Sequence, residues 1–163
     1  MPASTTLSSP QRARLIRGLA NFPTAAKSIK SAVGALPTTK PEAGQKATYQ
    51  RTFTSEDVRA FAELSGDKGI HHTEADAKGR VMVQGLLTAT TPTKLGGDMN
   101  YIARHIVYEF VRPVYVGDTI TCEGTVEKVE TSEGRLNVSL SFLCRNQDGK
   151  EVLRGTTDGI IRL

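Results

Sequence analysis

Residues 83–95 read VQGLLTATTPTKL and contain a single charged side chain, Lys94. A helix with so few charges is buried on most of its sides. We therefore predict a central helix from about Val83 to Leu95, ended by the segment 96–98, Gly-Gly-Asp. Pro92 should kink this helix or end it early, because a proline inside a helix removes one hydrogen bond and clashes with the preceding turn.

Downstream of this helix the apolar residues recur with a period of two, which is typical of strands. Strands are predicted at about 104–112, 120–126, 136–144 and 152–161, and an opening strand at about 49–53. Turn sequences such as Glu133-Gly134 and Asp148-Gly149 separate them. About five strands and one buried helix pack most economically as an antiparallel sheet wrapped around the helix, which predicts an α+β fold.

Upstream, residues 53–67 read FTSEDVRAFAELSGD and predict a second helix. Thr54 or Ser55 begins it, and Asp57 lies at the capping-box spacing from Thr54. Its apolar stripe consists of Val58, Phe61 and Ala62. Gly66 provides the backbone freedom that a tight helix exit requires.

Residues 1–48 differ from the rest, and we predict an N-terminal arm over 1–48 and one globular domain over 49–163. The arm is rich in Pro, Ser and Thr, and a helix is predicted within 11–36. Residues 1–50 contain seven basic side chains and one acidic one, a charge of +6. Such a basic, acid-poor segment is typical of a transit peptide, but a docking helix or a mobile arm fits it as well.

The charge of the domain excludes a nucleic-acid-binding function. Residues 51–163 carry 14 basic and 16 acidic side chains, a charge of −2, whereas nucleic-acid binding requires a basic surface. No apolar run is long enough to span a membrane, and no secretory signal is present. We therefore expect a cytoplasmic protein, with organelle import through the arm as the alternative. Cys122 and Cys144 lie in alternating apolar patterns and predict reduced core thiols.

The loop 65–72, SGDKGIHH, contains candidate acid and base residues. Asp67 lies five positions before His72, so both side chains can face one cleft. Adding water to a double bond beside a carbonyl requires a base that takes a proton from the water and an acid that protonates the α carbon. A carboxylate and an imidazole on either side of one water molecule can divide these two roles. On spacing alone, the alternative remains open that Asp67 caps a turn and both histidines are exposed polar residues.

Gln84-Gly85 begins the predicted central helix. Free N–H groups at a helix N-terminus carry partial positive charge and can stabilise an enolate oxygen, and glycine allows a carbonyl to approach closely. A glycine required only for packing is an equally open interpretation.

These segments, together with the turn RPVYVGD at 112–118, resemble the MaoC-like family of (R)-specific enoyl-CoA hydratases and 3-hydroxyacyl-thioester dehydratases over about residues 49–162. The resemblance implies a hotdog fold, a homodimer, no metal and no cofactor. It implies a coenzyme A or acyl-carrier thioester as substrate. It assigns Asp67 and His72 as the acid/base pair and Gly85 as the oxyanion donor. The residues expected to bind substrate are Gln84, Thr90, His71 and Gly69.

Several positions depart from the family pattern. The family's Asn-Pro is Gly69-Ile70 here, and the histidine before Gly85 is replaced by Gln84. Only 12 positions separate His72 from Gln84, and the missing stretch is where the family carries a short helix over the acyl tunnel. We therefore expect the shorter loop 73–80 to leave a more open pocket.

Two other functions are compatible with the sequence. A hotdog thioesterase also uses an acidic residue and a helix N-terminus, and the replaced motif positions also fit a non-catalytic acyl-thioester-binding subunit. A metal site formed by Asp67, His71 and His72 is disfavoured, because adjacent histidines can hardly both face one ion.

Overall fold

The computed structural model of the chain describes residues 40–163, in which five strands and four helices follow one another. The elements are β1 (Lys46–Thr52), α1 (Ser55–Ser65), α2 (Ile70–Thr73), α3 (Gly85–Thr88), α4 (Thr90–Asp98), β2 (Ile102–Phe110), β3 (Thr119–Ser132), β4 (Arg135–Arg145) and β5 (Glu151–Arg162).

One antiparallel sheet contains all five strands in the order β1-β3-β4-β5-β2. Helix α4 packs across β1 and β3. The helix approaches the sheet closely at Gly124, where an added Cβ would lie only 3.2 Å from Cδ1 of Leu95. The prediction of an α+β hotdog fold, with the sheet wrapped around a central helix, is confirmed.

The centre of the sheet confirms the predicted alternation of buried residues. Cys122 on β3 lies directly opposite Cys144 on β4, and both are fully buried free thiols. The neighbouring Cys144 sulfur and burial raise the pKa of the Cys122 thiol, so this thiol stays protonated. As predicted, the two cysteines act as core side chains.

The central helix is not continuous as predicted but breaks at Ala89, between α3 and α4. Pro92 is the third residue of α4, in the first turn, where a backbone N–H has no acceptor within the helix. The carbonyl of Thr88, which a continuous helix would pair with residue 92, accepts the Thr91 hydroxyl instead, at 2.9 Å. The proline therefore sets the break upstream of itself. None of the helices in residues 40–163 has the length and apolar character needed to cross a membrane.

Helix α1 follows the prediction closely. Thr54 is the N-cap, and its hydroxyl and the Asp57 carboxylate form both hydrogen bonds of a capping box. Gly66 ends the helix with φ 78°, a left-handed conformation that disfavours side chains other than glycine. The direction in which the chain leaves α1 is therefore determined locally, and it decides where Asp67 lies.

Element boundaries differ from the predicted ones by a few residues. β1 begins at Lys46, three residues before the predicted domain start, and β2 covers 102–110 instead of 104–112. Residues 1–39 lie outside the described part of the chain. The arm over 1–48, its helix and its possible role in import therefore stay predictions, as does the cytoplasmic location.

We expect Gly155→Ala to destabilise the protein. An added Cβ on Gly155 would lie 1.9 Å from the Val107 carbonyl oxygen and 2.7 Å from the Phe142 ring, so β2 must move away from β5. Overpacking of this kind costs about 1–3 kcal/mol. Gly97→Ala is the matched control, because nothing lies within 4 Å of its Cβ position. Urea unfolding of both variants measures the difference, and equal unfolding free energies would contradict the proposed packing.

Candidate active site

His72 is a buried imidazole, only 7% exposed, on the one-turn helix α2. Its Nδ1 lies 2.8 Å from the carbonyl oxygen of Met82. Because a carbonyl can only accept, Nδ1 carries a hydrogen and donates it. Nε2 is therefore the ring nitrogen that can gain or lose a proton.

Asp67 lies on the Nε2 side of His72. Its Oδ2 is 3.6 Å from Nε2, and the carboxylate is half exposed. This distance is too long for a direct hydrogen bond, but a water molecule beside the pair can lie about 2.8 Å from both atoms. The backbone N–H of Gly69 approaches the other carboxylate oxygen at 3.4 Å and helps to orient it. The structure thus brings together the predicted acid/base pair.

Gly85 begins α3 and faces the same region as His72. Both residues line a cavity of about 310 Å³. The N–H of Gly85 has no hydrogen-bond acceptor among residues 40–163, so it is free to donate to a ligand. Gly85 also has a packing role, because an added Cβ would lie 3.1 Å from the Phe110 ring.

The remaining lining of this cavity, hereafter the catalytic cavity, is mixed. Its other residues include His71, Met82, Thr88, Phe110, Arg112 and Val114. Asp67 is outside this lining and reaches the cavity through His72. An imidazole, a backbone N–H, a hydroxyl and a guanidinium therefore belong to the lining residues, and the Asp67 carboxylate lies 3.6 Å from the imidazole. This is a suitable set of groups for proton transfer beside a polarised carbonyl.

Two of the predicted substrate-binding side chains point elsewhere. Gln84 is fully buried, and its Nε2 donates to the Val58 carbonyl at 3.1 Å, which ties the start of α3 to α1. The Thr90 hydroxyl donates to the Leu87 carbonyl at 2.6 Å. The side chains of Gln84 and Thr90 are both outside the lining of the catalytic cavity.

His71 and Gly69 lie close to His72. The two histidine rings are 3.9 Å apart between centroids, and His71 lines the catalytic cavity. A Cβ on Gly69 would lie 2.9 Å from Cε1 of His71, so the glycine provides space for that ring. Over residues 40–163, the structure contains no group of three or more His, Cys, Asp and Glu residues that could hold a metal ion.

Sequence reasoning missed Thr88 and Arg112. Thr88 is 2% exposed and lies one helical turn after Gly85. Its i+3 spacing from that glycine is the sequence feature that could have predicted its place in the cavity lining. Arg112 begins the turn at 112–118, to which no chemical role was assigned, and it lines the cavity while donating to the Glu151 carbonyl at 2.7 Å.

Contacts of Arg80 hold the C-terminal end of the loop 73–80 in place. Arg80 forms two hydrogen bonds with Asp76, at 2.7 and 3.0 Å, and its guanidinium lies 3.9 Å from the centroid of the Tyr115 ring. The Arg80 side chain lowers the pKa of Asp76 to about 2. A depressed carboxylate pKa means that the ion pair persists as pH falls and is lost only near pH 2.

Comparisons with solved structures give similar proteins of known class. The (R)-hydratase from A. caviae, involved in PHA biosynthesis, is 28% identical, with a TM-score of 0.66 over 73% of this chain and 96% of that one. R-hydratase PhaJ1 from Pseudomonas aeruginosa is 25% identical, with a TM-score of 0.66 over 77% and 84% of the two chains. The MaoC-like dehydratase from Rhodospirillum rubrum is 20% identical, with a TM-score of 0.62 over 75% and 93%, a likeness that shows the fold alone.

No protein-family model and no curated protein sequence matches the chain. The relationship is therefore carried by the tertiary structure. These structural likenesses show the hotdog fold and support a relationship to the MaoC-like hotdog family.

Proposed function

We propose that the chain reversibly hydrates a 2-enoyl thioester of coenzyme A or an acyl carrier to the 3-hydroxyacyl thioester. The observation that carries the proposal is the position of His72. Its exchangeable Nε2 lies 3.6 Å from the Asp67 carboxylate, and the same residue lines a cavity with the free N–H of Gly85. The two solved (R)-hydratases to which the chain is similar support a hydro-lyase.

The two acid/base groups can account for both proton transfers. In hydration, the water oxygen bonds to C3, its proton passes to one of the pair, and a proton is delivered to C2. Asp67 and His72 divide these two roles, and the reverse reaction exchanges them. Because Nδ1 of His72 is held by the Met82 carbonyl, only Nε2 takes part.

The thioester carbonyl requires a separate partner. As water adds to C3, negative charge develops on the carbonyl oxygen, and a preorganised hydrogen-bond donor stabilises that charge. The N–H of Gly85 is the donor that we assign to this oxygen, since it faces the cavity and has no protein acceptor in the described range.

A homodimer is part of the proposal. β2 is an edge strand of the sheet and carries four apolar side chains that are 42–48% exposed, Ile102, Ile106, Val107 and Phe110. An exposed apolar edge strand is a liability in a monomer and marks an interaction surface. Phe110 also contacts Gly85, so a partner that covers β2 would lie next to the catalytic cavity.

Asp67→Asn should lower kcat/KM for crotonyl-CoA by about 10²–10⁴-fold, because it removes one of the two proton-transfer groups without changing the shape of the side chain. The measurement is the loss of the absorbance of the conjugated enoyl thioester. Asp148→Asn is the control, since Asp148 lies on an exposed turn. An Asp67→Asn enzyme as active as the parent would exclude the assignment.

Incubation with the same substrate distinguishes the alternative functions. Release of free thiol by the parent protein would indicate a thioesterase. Binding of the thioester without turnover would indicate a non-catalytic subunit.

Thr88→Val should reduce kcat/KM by about 2–10-fold, the value of one hydrogen bond to the substrate. Thr90→Val is its matched control, because each hydroxyl donates to a helix carbonyl but only that of Thr88 lines the cavity. The same assay compares the two variants. A larger loss of kcat/KM in Thr90→Val than in Thr88→Val would indicate that Thr90, the residue predicted from the resemblance, binds the substrate.

Ile106→Lys should convert the dimer to a monomer, because it places a charge in the exposed apolar edge of β2. Light scattering coupled to gel filtration measures the mass. Lys128→Ala is the control on the sheet, since Lys128 is exposed and forms an ion pair with Glu130. A parent protein that elutes as a monomer at every concentration would refute the dimer.

A further inference from the structure

The side chain of His71 lies against the imidazole of His72. The two ring centroids are 3.9 Å apart, and the ring planes are inclined by 57°. Consecutive residues of a helix normally point away from each other, because each residue turns the helix by about 100°. The contact between the two rings is therefore not a simple consequence of their adjacency in the sequence. It requires free space for the His71 ring beside α2.

Gly69, which immediately precedes α2, provides this space. A Cβ on Gly69 would lie 2.9 Å from Cε1 and 3.4 Å from Nδ1 of His71, so a side chain at position 69 would force the ring to move. Gly69 has φ −53° and ψ 141°, a conformation that other residues adopt without strain. The backbone therefore does not require a glycine at this position. What the structure uses is the absence of a side chain, at a position where the chain departs from the family's Asn.

We propose that His71 is a positioning residue that fixes the plane of the His72 ring for proton transfer, and that the missing side chain of Gly69 makes this contact possible. The inference rests on the proposed function. The χ2 torsion of a histidine is broad, so a ring held by one hydrogen bond can still tilt about that bond. Within residues 40–163 the His72 ring makes one hydrogen bond, from Nδ1 to the Met82 carbonyl at 2.8 Å. The neighbouring His71 ring restricts the tilt, and with it the direction in which Nε2 points.

The backbone holds His71 in place for this role. Its carbonyl accepts the N–H of Met82 at 3.0 Å, so Met82 binds the backbone of His71 and the ring of His72 at the same time. In the part of the chain that the structure describes, the His71 side chain forms no hydrogen bond of its own. Packing against His72 is therefore the contact through which it acts. Side chains that lock the rotamer of a reacting group in this way are a requirement of a precise site.

Two substitutions of His71 separate packing from the chemistry of the imidazole nitrogens. His71→Ala removes the ring, whereas His71→Phe keeps a flat ring against His72 without either nitrogen. We expect His71→Ala to lower kcat for crotonyl-CoA about tenfold with KM changed by less than about twofold, because a small misplacement of a reacting group is costly. His71→Phe should keep kcat within about twofold of the parent. Because His71 is exposed, both variants should unfold at the parental urea concentration.

Three results would overturn the inference. His71→Ala as active as the parent would show that the ring contact has no effect on the reaction. Equal losses of kcat in His71→Ala and His71→Phe would assign the role to the nitrogens. A rise of KM in His71→Ala with kcat unchanged would mean that His71 binds the substrate instead of positioning His72.

Gly69→Ala tests the role of the missing side chain. The added methyl group displaces the His71 ring, so kcat should fall by about the same factor as in His71→Ala, whereas its 3.5 Å distance to Oδ1 of Asp67 is an ordinary contact. In the double variant the methyl group has no ring to displace, so the loss should equal that of His71→Ala alone. Losses that multiply in the double variant would contradict the proposal. Gly97→Ala is the matched control, because nothing lies within 4 Å of its Cβ position.

Nuclear magnetic resonance reports on the His72 ring without any substrate. The Nδ1 hydrogen of His72 is buried and hydrogen-bonded, so it should exchange slowly with solvent and give a resolved imidazole signal, which His72→Gln assigns. Exchange should be faster in His71→Ala and Gly69→Ala and parental in His71→Phe. The same exchange rate in all variants would overturn the inference. A parent that hydrates no enoyl thioester would refute the proposed function alone, since this measurement requires no turnover.

Discussion

The hydrogen bond from Nδ1–H of His72 to the Met82 carbonyl is the contact on which the site depends. It joins two residues ten positions apart and closes the base of the loop between them. Two backbone hydrogen bonds reinforce it, from Met82 N–H to the His71 carbonyl at 3.0 Å and from Val83 N–H to the Val114 carbonyl at 2.8 Å. The bond also fixes the imidazole tautomer, so that Nε2 faces the carboxylate of Asp67.

These hydrogen bonds attach the loop that carries His72 to the strands of the sheet. Val114 and Tyr115 belong to the turn that precedes β3, and Met82 forms a bridge with Tyr115. The loop that carries His72 is therefore attached to the same framework that positions α3, and Gly85 follows Met82 by only three residues. If His72 and Gly85 have the roles proposed for them, this link gives the preorganised geometry that such a site requires.

Activity in this family cannot be inferred from the fold, because one architecture supports many reactions. With identities of 25–28% to the (R)-hydratases compared above, the arrangement of side chains is the stronger argument. In this chain that arrangement brings Asp67, His72 and Gly85 close together, while the Gln84 side chain binds the Val58 carbonyl and lies outside the cavity.

The sequence by itself determined the features that depend on neighbouring residues. The capping box at Thr54 and Asp57, the left-handed exit at Gly66 and the strand alternation around Cys122 are local consequences of side-chain chemistry and backbone freedom. Tertiary structure alone decided that the side chains of Gln84 and Thr90 lie outside the cavity that contains Gly85, and that His72 lies beside Gly85 and Phe110. These features depend on contacts between segments far apart in the chain, such as Phe110 against Gly85, and no spacing within one segment encodes them.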